Sequence, residues 1–190
     1  MEPEKMLVAI VLTSVVIVGL VIGVSVASAP SGTSNNGSGS SQSSLSPDTD
    51  FGQSKEAPDW GLLMSDGKVI QMSNLEGKFA IVDLMSLTCP ACETQNGEIV
   101  SLISAMGDRI HVISLSVDVS TTTEQMQSYK DDASLTWEHG LDTNSVFTYY
   151  FKLRYTPTVV IIDSDGYFRM YHEGVWTSSE IQQTLSLLDQ

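Results

Sequence analysis

The chain has two cysteines, and they stand three positions apart in Cys89-Pro90-Ala91-Cys92. A disulfide across so short a loop restricts the unfolded chain little, so stapling is a poor reason for the pair. A structural zinc site wants a second Cys or His pair at ligand spacing, and His111, His139 and His172 are scattered singly. Redox exchange between sulfurs needs no further residue, and neither metal nor cofactor is expected. Pro90 suits the first position of a helix, where no N–H is required. Cys89 would then sit at the helix cap, facing unpaired N–H groups and the positive end of the macrodipole, which lowers a thiol pKa. Cys89, nearer solvent, is expected to attack. Cys92, one turn inside, is expected to resolve the mixed disulfide.

Three other positions bear on that chemistry. Asp83 interrupts the apolar stretch Phe79-Ala80-Ile81-Val82-Asp83-Leu84, six residues before Cys89. Burial there would raise its pKa and let it carry a proton to or from Cys92; the competing reading is an Asp turned to solvent at a strand end. Pro157, in Tyr155-Thr156-Pro157-Thr158, precedes a β-type run and is expected in a tight turn with a cis bond. Thr156 would then offer its backbone to an extended client segment. Pro90 and Ala91, between the sulfurs, complete the expected client contacts.

The elements that must position these residues alternate between strand and helix. Leu62-Leu63-Met64 and Lys68-Val69-Ile70-Gln71 flank an Asp66-Gly67 turn and read as a hairpin. Phe79–Leu84 and Ile110–Val117 read as strands buried on both faces. The helix from Pro90 aligns Cys92, Ile99, Ile103 and Met106 on one side. Thr121-Thr122-Thr123-Glu124 predicts a capping box for a helix towards Lys130, and Asn144–Phe151 another short helix. Thr158–Ile162 and Phe168–Tyr171 are strands joined through the turn Asp163-Ser164-Asp165-Gly166. Thr177-Ser178-Ser179-Glu180 caps a last helix with Ile181, Leu185 and Leu188 on its apolar side. No internal repeat is present. Parallel βαβ units, then a hairpin and a closing helix, predict a three-layer α/β/α sandwich around a mixed sheet.

The N-terminal part reads differently. Leu7–Val26 carries no charge, and roughly 20 apolar residues cross a bilayer core as a helix. Ala27-Ser28-Ala29 resembles a signal-peptidase site, but the apolar run exceeds the usual h-region and Pro30 follows. Residues 1–29 are therefore read as a single-pass anchor. Lys5 precedes the span and no Lys or Arg follows until Lys55, so the positive-inside bias leaves the rest of the chain outside the cytoplasm, where oxidised cysteine pairs persist. Residues 30–57, rich in Ser, Gly and Asn at their start, are read as a flexible tether. Residues 58–190 are read as the folded domain.

The formal net charge of −14 argues against a nucleic-acid partner, which needs clustered Lys and Arg. Trp60, Trp137 and Trp176 are read as packing residues, Asp131-Asp132 as a solvated helix end, and His139 and His172 as surface or satisfied polar groups.

The chain resembles the thioredoxin superfamily, and most closely its TlpA/ResA-like membrane-anchored branch. The likeness spans roughly Pro58 to Leu188. It is carried by Ala80-Ile81-Val82-Asp83-Leu84 leading to Cys89-Pro90-Ala91-Cys92, and by Tyr155-Thr156-Pro157-Thr158 before Ile161-Ile162-Asp163-Ser164-Asp165-Gly166. It implies a thioredoxin-like fold with Asp83 and Pro157 in the places of the buried acid and the cis-proline. It also implies protein thiol and disulfide clients, with a membrane partner as electron donor or acceptor. Thr88 stands where the family usually has Trp, Glu93 where Lys or Arg is common, and Gly97 where a proline often kinks the helix. An acidic neighbour disfavours a thiolate, which leans the pair towards a reductase. Two alternatives come from other classes. Thr88-Cys89 faintly echoes a peroxiredoxin motif at the wrong spacing. A copper chaperone of the SCO type would need one more residue between the cysteines, and a histidine.

Overall fold

A computed structural model describes residues 50–190, with side chains described from Lys55 onward. The predicted span over residues 7–26 and most of the predicted tether lie outside the described residues. Among the described residues no helix is long and apolar enough to cross a membrane.

Eight strands and four α-helices follow in chain order among the described residues: β1 (Asp50–Glu56), β2 (Gly61–Met64), β3 (Val69–Gln71), β4 (Phe79–Met85), α1 (Pro90–Met106), β5 (Ile110–Ser116), α2 (Thr123–Asp132), β6 (Glu138–Leu141), α3 (Val146–Phe151), β7 (Thr158–Ile162), β8 (Tyr167–Glu173) and α4 (Ser178–Leu188). The strands form one mixed sheet in the order β1-β8-β7-β4-β5-β6-β2-β3. β4, β5 and β6 are parallel neighbours, while β7 lies antiparallel to β4. The sandwich expected from the βαβ pattern is present, with helices on both faces of the sheet.

Successive residues of a strand point to opposite faces, and the central strands sort their side chains accordingly. Ala80, Val82, Leu84, Ile113, Leu115, Val160 and Ile162 face a core closed by Phe147 of α3, with Trp60, Leu62 and Phe168. Ile81, Val112, Val159 and Ile161 face Ile99 and Leu102 of α1 and Ile181 and Leu185 of α4. Both faces of β4, β5 and β7 are covered, which is why these strands read as near-continuous apolar runs.

Two strands were not expected. β1 occupies residues 50–56, assigned above to the tether, so the folded unit begins before Pro58. It pairs antiparallel with β8 at the sheet edge through a register irregularity between Asp50 and Lys55. An edge strand needs backbone pairing on one side only, so a polar sequence can form one without an apolar signature. The Lys55 ammonium lies 4.7 Å from the centre of the Tyr150 ring. β6 is short and contains Gly140, where a Cβ would fall 2.6 Å from the Leu63 carbonyl oxygen. Glycine there lets β2 approach β6, so the residue that weakens the strand signal is what allows the pairing. The capping box of α2 is shifted by one residue: Thr122 caps and Gln125 reciprocates. Thr121 is occupied instead, accepting from the Ser116 hydroxyl at 2.9 Å.

Candidate active site

β4 ends at Met85, and the loop Ser86-Leu87-Thr88 delivers Cys89 to the N-cap of α1. Pro90 takes a first-turn position, as its fixed φ and missing N–H favour. The Cys92 N–H donates to Cys89 Sγ at 3.2 Å. This is the arrangement in which orphan helix N–H groups favour negative charge on the capping sulfur. Cys89 and Cys92 are joined as a disulfide with Cα atoms 5.2 Å apart. Cys89 is half-buried, Pro90, Ala91 and Glu93 are exposed, and Cys92 is fully buried. One sulfur can therefore meet an outside partner and the other cannot.

The Thr156–Pro157 peptide bond is cis. Cys89 Sγ lies 3.5 Å from the Thr156 carbonyl oxygen, so the two loops bring Thr156 to the half-buried sulfur although 67 residues separate them. Pro157 is buried behind it, and Tyr155 is exposed beside it.

Asp83 is completely buried, so it is not the solvent-facing strand-end residue that was the competing reading. It lies two residues before Met85 on the same side of β4, and Met85 packs with Cys92 and Met126. Burial pushes its carboxyl up to about 7, against a hydrogen bond from Ser114 that pulls it down. The Ser114 hydroxyl donates to Asp83 Oδ2 at 2.9 Å, and the Trp137 indole N–H donates to Ser114 Oγ at 2.9 Å. Asp83 Oδ1 has no hydrogen-bond partner among the described residues.

Further polar groups gather on this face. Asn96 of α1 donates to the Tyr129 hydroxyl of α2 at 2.7 Å. Gln95 ties α1 to the loop before α4 through the Trp176 N–H and carbonyl, at 2.8 and 3.1 Å. His139, read above as a surface or satisfied residue, is only 1% exposed. Its Nδ1 lies 3.0 Å from the Trp137 carbonyl oxygen, and Nε2 has no partner. Desolvation lowers its pKa to about 4, so the ring is neutral at ordinary pH. β6 was not foreseen, so nothing placed His139 inside the sheet.

Sequence reasoning also missed Ser114 and gave Trp137 a packing role alone. The available signal was a hydroxyl in the middle of an apolar run in β5. Among the described residues there is no grouping of three or more His, Cys, Asp or Glu side chains that could hold a metal. His172 instead stacks on Trp176, with ring centres 5.1 Å apart.

Comparison with known proteins gives a match to the AhpC/TSA family over residues 54–170. The chain is 24% identical over 136 residues to the thioredoxin-like protein YneN of Bacillus subtilis strain 168, covering 71% of this chain and 79% of that protein. Among solved structures it is similar to a thiol:disulfide interchange protein of the thioredoxin family from Chlorobium tepidum, with TM-score 0.62 and 18% identity, covering 71% of this chain and 96% of that one. It is also similar to the pneumococcal exposed lipoprotein thioredoxin from Streptococcus pneumoniae, with TM-score 0.57 and 20% identity, covering 67% of this chain and 98% of that one.

Proposed function

The chain belongs to the AhpC/TSA family and is a thioredoxin-like thiol-disulfide oxidoreductase, and from that premise we propose that it is a membrane-tethered reductase of protein disulfides outside the cytoplasm. The observation that carries the proposal is the pairing of a half-buried sulfur at a helix N-cap with a fully buried one a turn behind it. In the reduced protein the Cys89 thiolate attacks a client disulfide, forming a mixed disulfide and releasing one client thiolate. Asp83, as carboxylate, takes the Cys92 thiol proton. The Cys92 thiolate then attacks Cys89 Sγ, forming the Cys89–Cys92 bond and releasing the second client sulfur. Two electrons pass to the client, and the pair ends oxidised. Thr156 and Pro157, with Pro90 and Ala91, form the surface against which the client backbone lies.

The charge-free run Leu7–Val26 supports the tether, and Lys5 before it supports the outward orientation. A pair oxidised in each cycle outside the cytoplasm requires a membrane partner to return electrons. Glu93, exposed in the first turn of α1, sets an acidic charge near the pair and favours the reducing direction. The reduction potential tests that direction. A value near thioredoxin's, about −270 mV, supports a reductase, and one near −120 mV would make the protein an oxidase.

The AhpC/TSA match supports a second reading, peroxide reduction. Cys89 would take an oxygen to become a sulfenic acid, and condensation with Cys92 would expel water. Rapid consumption of hydrogen peroxide by the reduced protein would favour it over client reduction.

A further inference from the structure

A carboxylate with one oxygen accepting a hydrogen bond takes up a proton more readily at the other. Asp83, Ser114 and Trp137 decide which oxygen that is. Asp83 and Ser114 are direct partners across the parallel β4–β5 ladder, and Ser114 and His139 are partners across β5–β6. These three side chains therefore share one face of the sheet in a row. An indole N–H can only donate, and a serine hydroxyl has a single proton. With Trp137 Nε1 donating into Ser114 Oγ at 2.9 Å, the Ser114 proton is directed to Asp83 Oδ2, also at 2.9 Å. Oδ2 is thus fixed as an acceptor. Oδ1, buried and without a partner among the described residues, is the oxygen free to be protonated.

We propose that Ser114 and Trp137 are positioning residues for proton transfer, a donor chain that locks Asp83 Oδ2 and assigns the mobile proton to Oδ1. The proposal rests on the reading of Asp83 as the proton acceptor for Cys92. In the step concerned, the S–H bond of Cys92 breaks and its electron pair stays on sulfur. The proton goes to Oδ1, and the new thiolate attacks Cys89 Sγ.

The titratable and charged groups on the elements around Asp83 are Cys89 at the cap of α1 with Cys92, Glu93 and Glu98 in it, His111 on β5, Glu124, Tyr129, Lys130, Asp131 and Asp132 on α2, Glu138 and His139 on β6, Tyr167, Arg169, Tyr171, His172 and Glu173 on β8, and Glu180 on α4. Lys130 bears on His139 rather than on Asp83. The two influences on Asp83 are its burial and the Ser114 hydrogen bond, which act in opposite directions. Removing the hydroxyl removes the only one that favours the carboxylate.

The test is the pH titration of aspartate side-chain carboxyl carbons by NMR in the full chain, alongside the pH profile of client reduction. Asp83→Asn identifies the Asp83 signal by its loss. Ser114→Ala should move the Asp83 midpoint up by roughly one to two pH units, with the rate profile following it. Ser114→Thr, which keeps the hydroxyl, should restore the original midpoint. Trp137→Phe, which frees the hydroxyl to turn away, should give a smaller upward shift. If Asp83→Asn leaves the rate profile unchanged, the reading of Asp83 itself fails. If that reading stands and neither Ser114→Ala nor Trp137→Phe moves the midpoint, the donor chain has no such role.

Discussion

The two faces of the central sheet are built from different materials. On the α3 side, Trp60, Phe147, Tyr150, Phe151 and Phe168 interlock, with Trp60 and Phe147 ring centres 4.9 Å apart and Phe151 and Phe168 5.0 Å apart. On the side of α1, α2 and α4, Asp83, Ser114, His139, Gln95 and Asn96 are all buried among the apolar residues. Aromatic edge-to-face packing stabilises with few polar groups to satisfy. Buried polar groups are tolerated only where bonded, and each unpartnered one calls for a reason. Of the four unpartnered buried polar atoms among the described residues, Asp83 Oδ1, Asn96 Oδ1 and His139 Nε2 lie on the redox side, and the Tyr150 hydroxyl lies among the aromatics of the α3 side. Both faces carry an apolar core, but the face of α1, α2 and α4 also buries the titratable side chains Asp83 and His139.

The contrast breaks most visibly at Phe147. Phe147→Ala should destabilise the protein by about 3–5 kcal/mol, read by urea unfolding. Its rate of client reduction per folded molecule should stay near that of wild type.

Two buried groups on the redox face should oppose each other in pH. The folded-state pKa of Asp83 is raised from 3.8 to about 7. The folded protein therefore holds that proton where the unfolded chain has released it, and stability falls as pH rises through this window. His139 is lowered from 6.5 to about 4. The unfolded chain takes that proton first, so stability falls as pH drops through its window. In His139→Gln the Asp83 effect stands alone, and stability should decline by roughly 3–4 kcal/mol from pH 4 to above 7. In Asp83→Asn the His139 effect stands alone, and stability should rise by roughly 2–3 kcal/mol between pH 4 and 6.5. Unfolding free energies across pH for the two variants check both signs. A wild-type curve flatter than either completes the picture.

The smallest effect concerns the cover of the redox face. Thr177 caps α4, accepting from the Glu180 N–H at 3.3 Å. Thr177→Ala should lower stability by about 1 kcal/mol in urea unfolding, leaving the titration of Asp83 in place.

Much of this layout can be read from the chain because β4, β5 and β7 are covered on both faces and α4 carries a clear cap. Such elements announce themselves by local pattern. β1 and β6 do not, since an edge strand and a glycine-containing strand draw on backbone pairing with distant residues. The same limit applies at the site. Cys89, Cys92 and Asp83 stand out by type and spacing. Ser114 and Trp137 matter through side-chain hydrogen bonds to partners 31 and 23 residues away in sequence, which no local window contains. His139 became a buried neutral ring only once β6 placed it beside Ser114.

In the proposed exchange Cys89 attacks and Cys92 resolves. Reduced Cys92→Ser and Cys89→Ser variants, each mixed with a disulfide-bearing client, test it directly by non-reducing electrophoresis and mass mapping. Cys92→Ser should accumulate a client adduct through Cys89, and Cys89→Ser should form none and lose exchange. An adduct mapped to Cys92, or undiminished client reduction by Cys89→Ser, would take the attacking role away from Cys89.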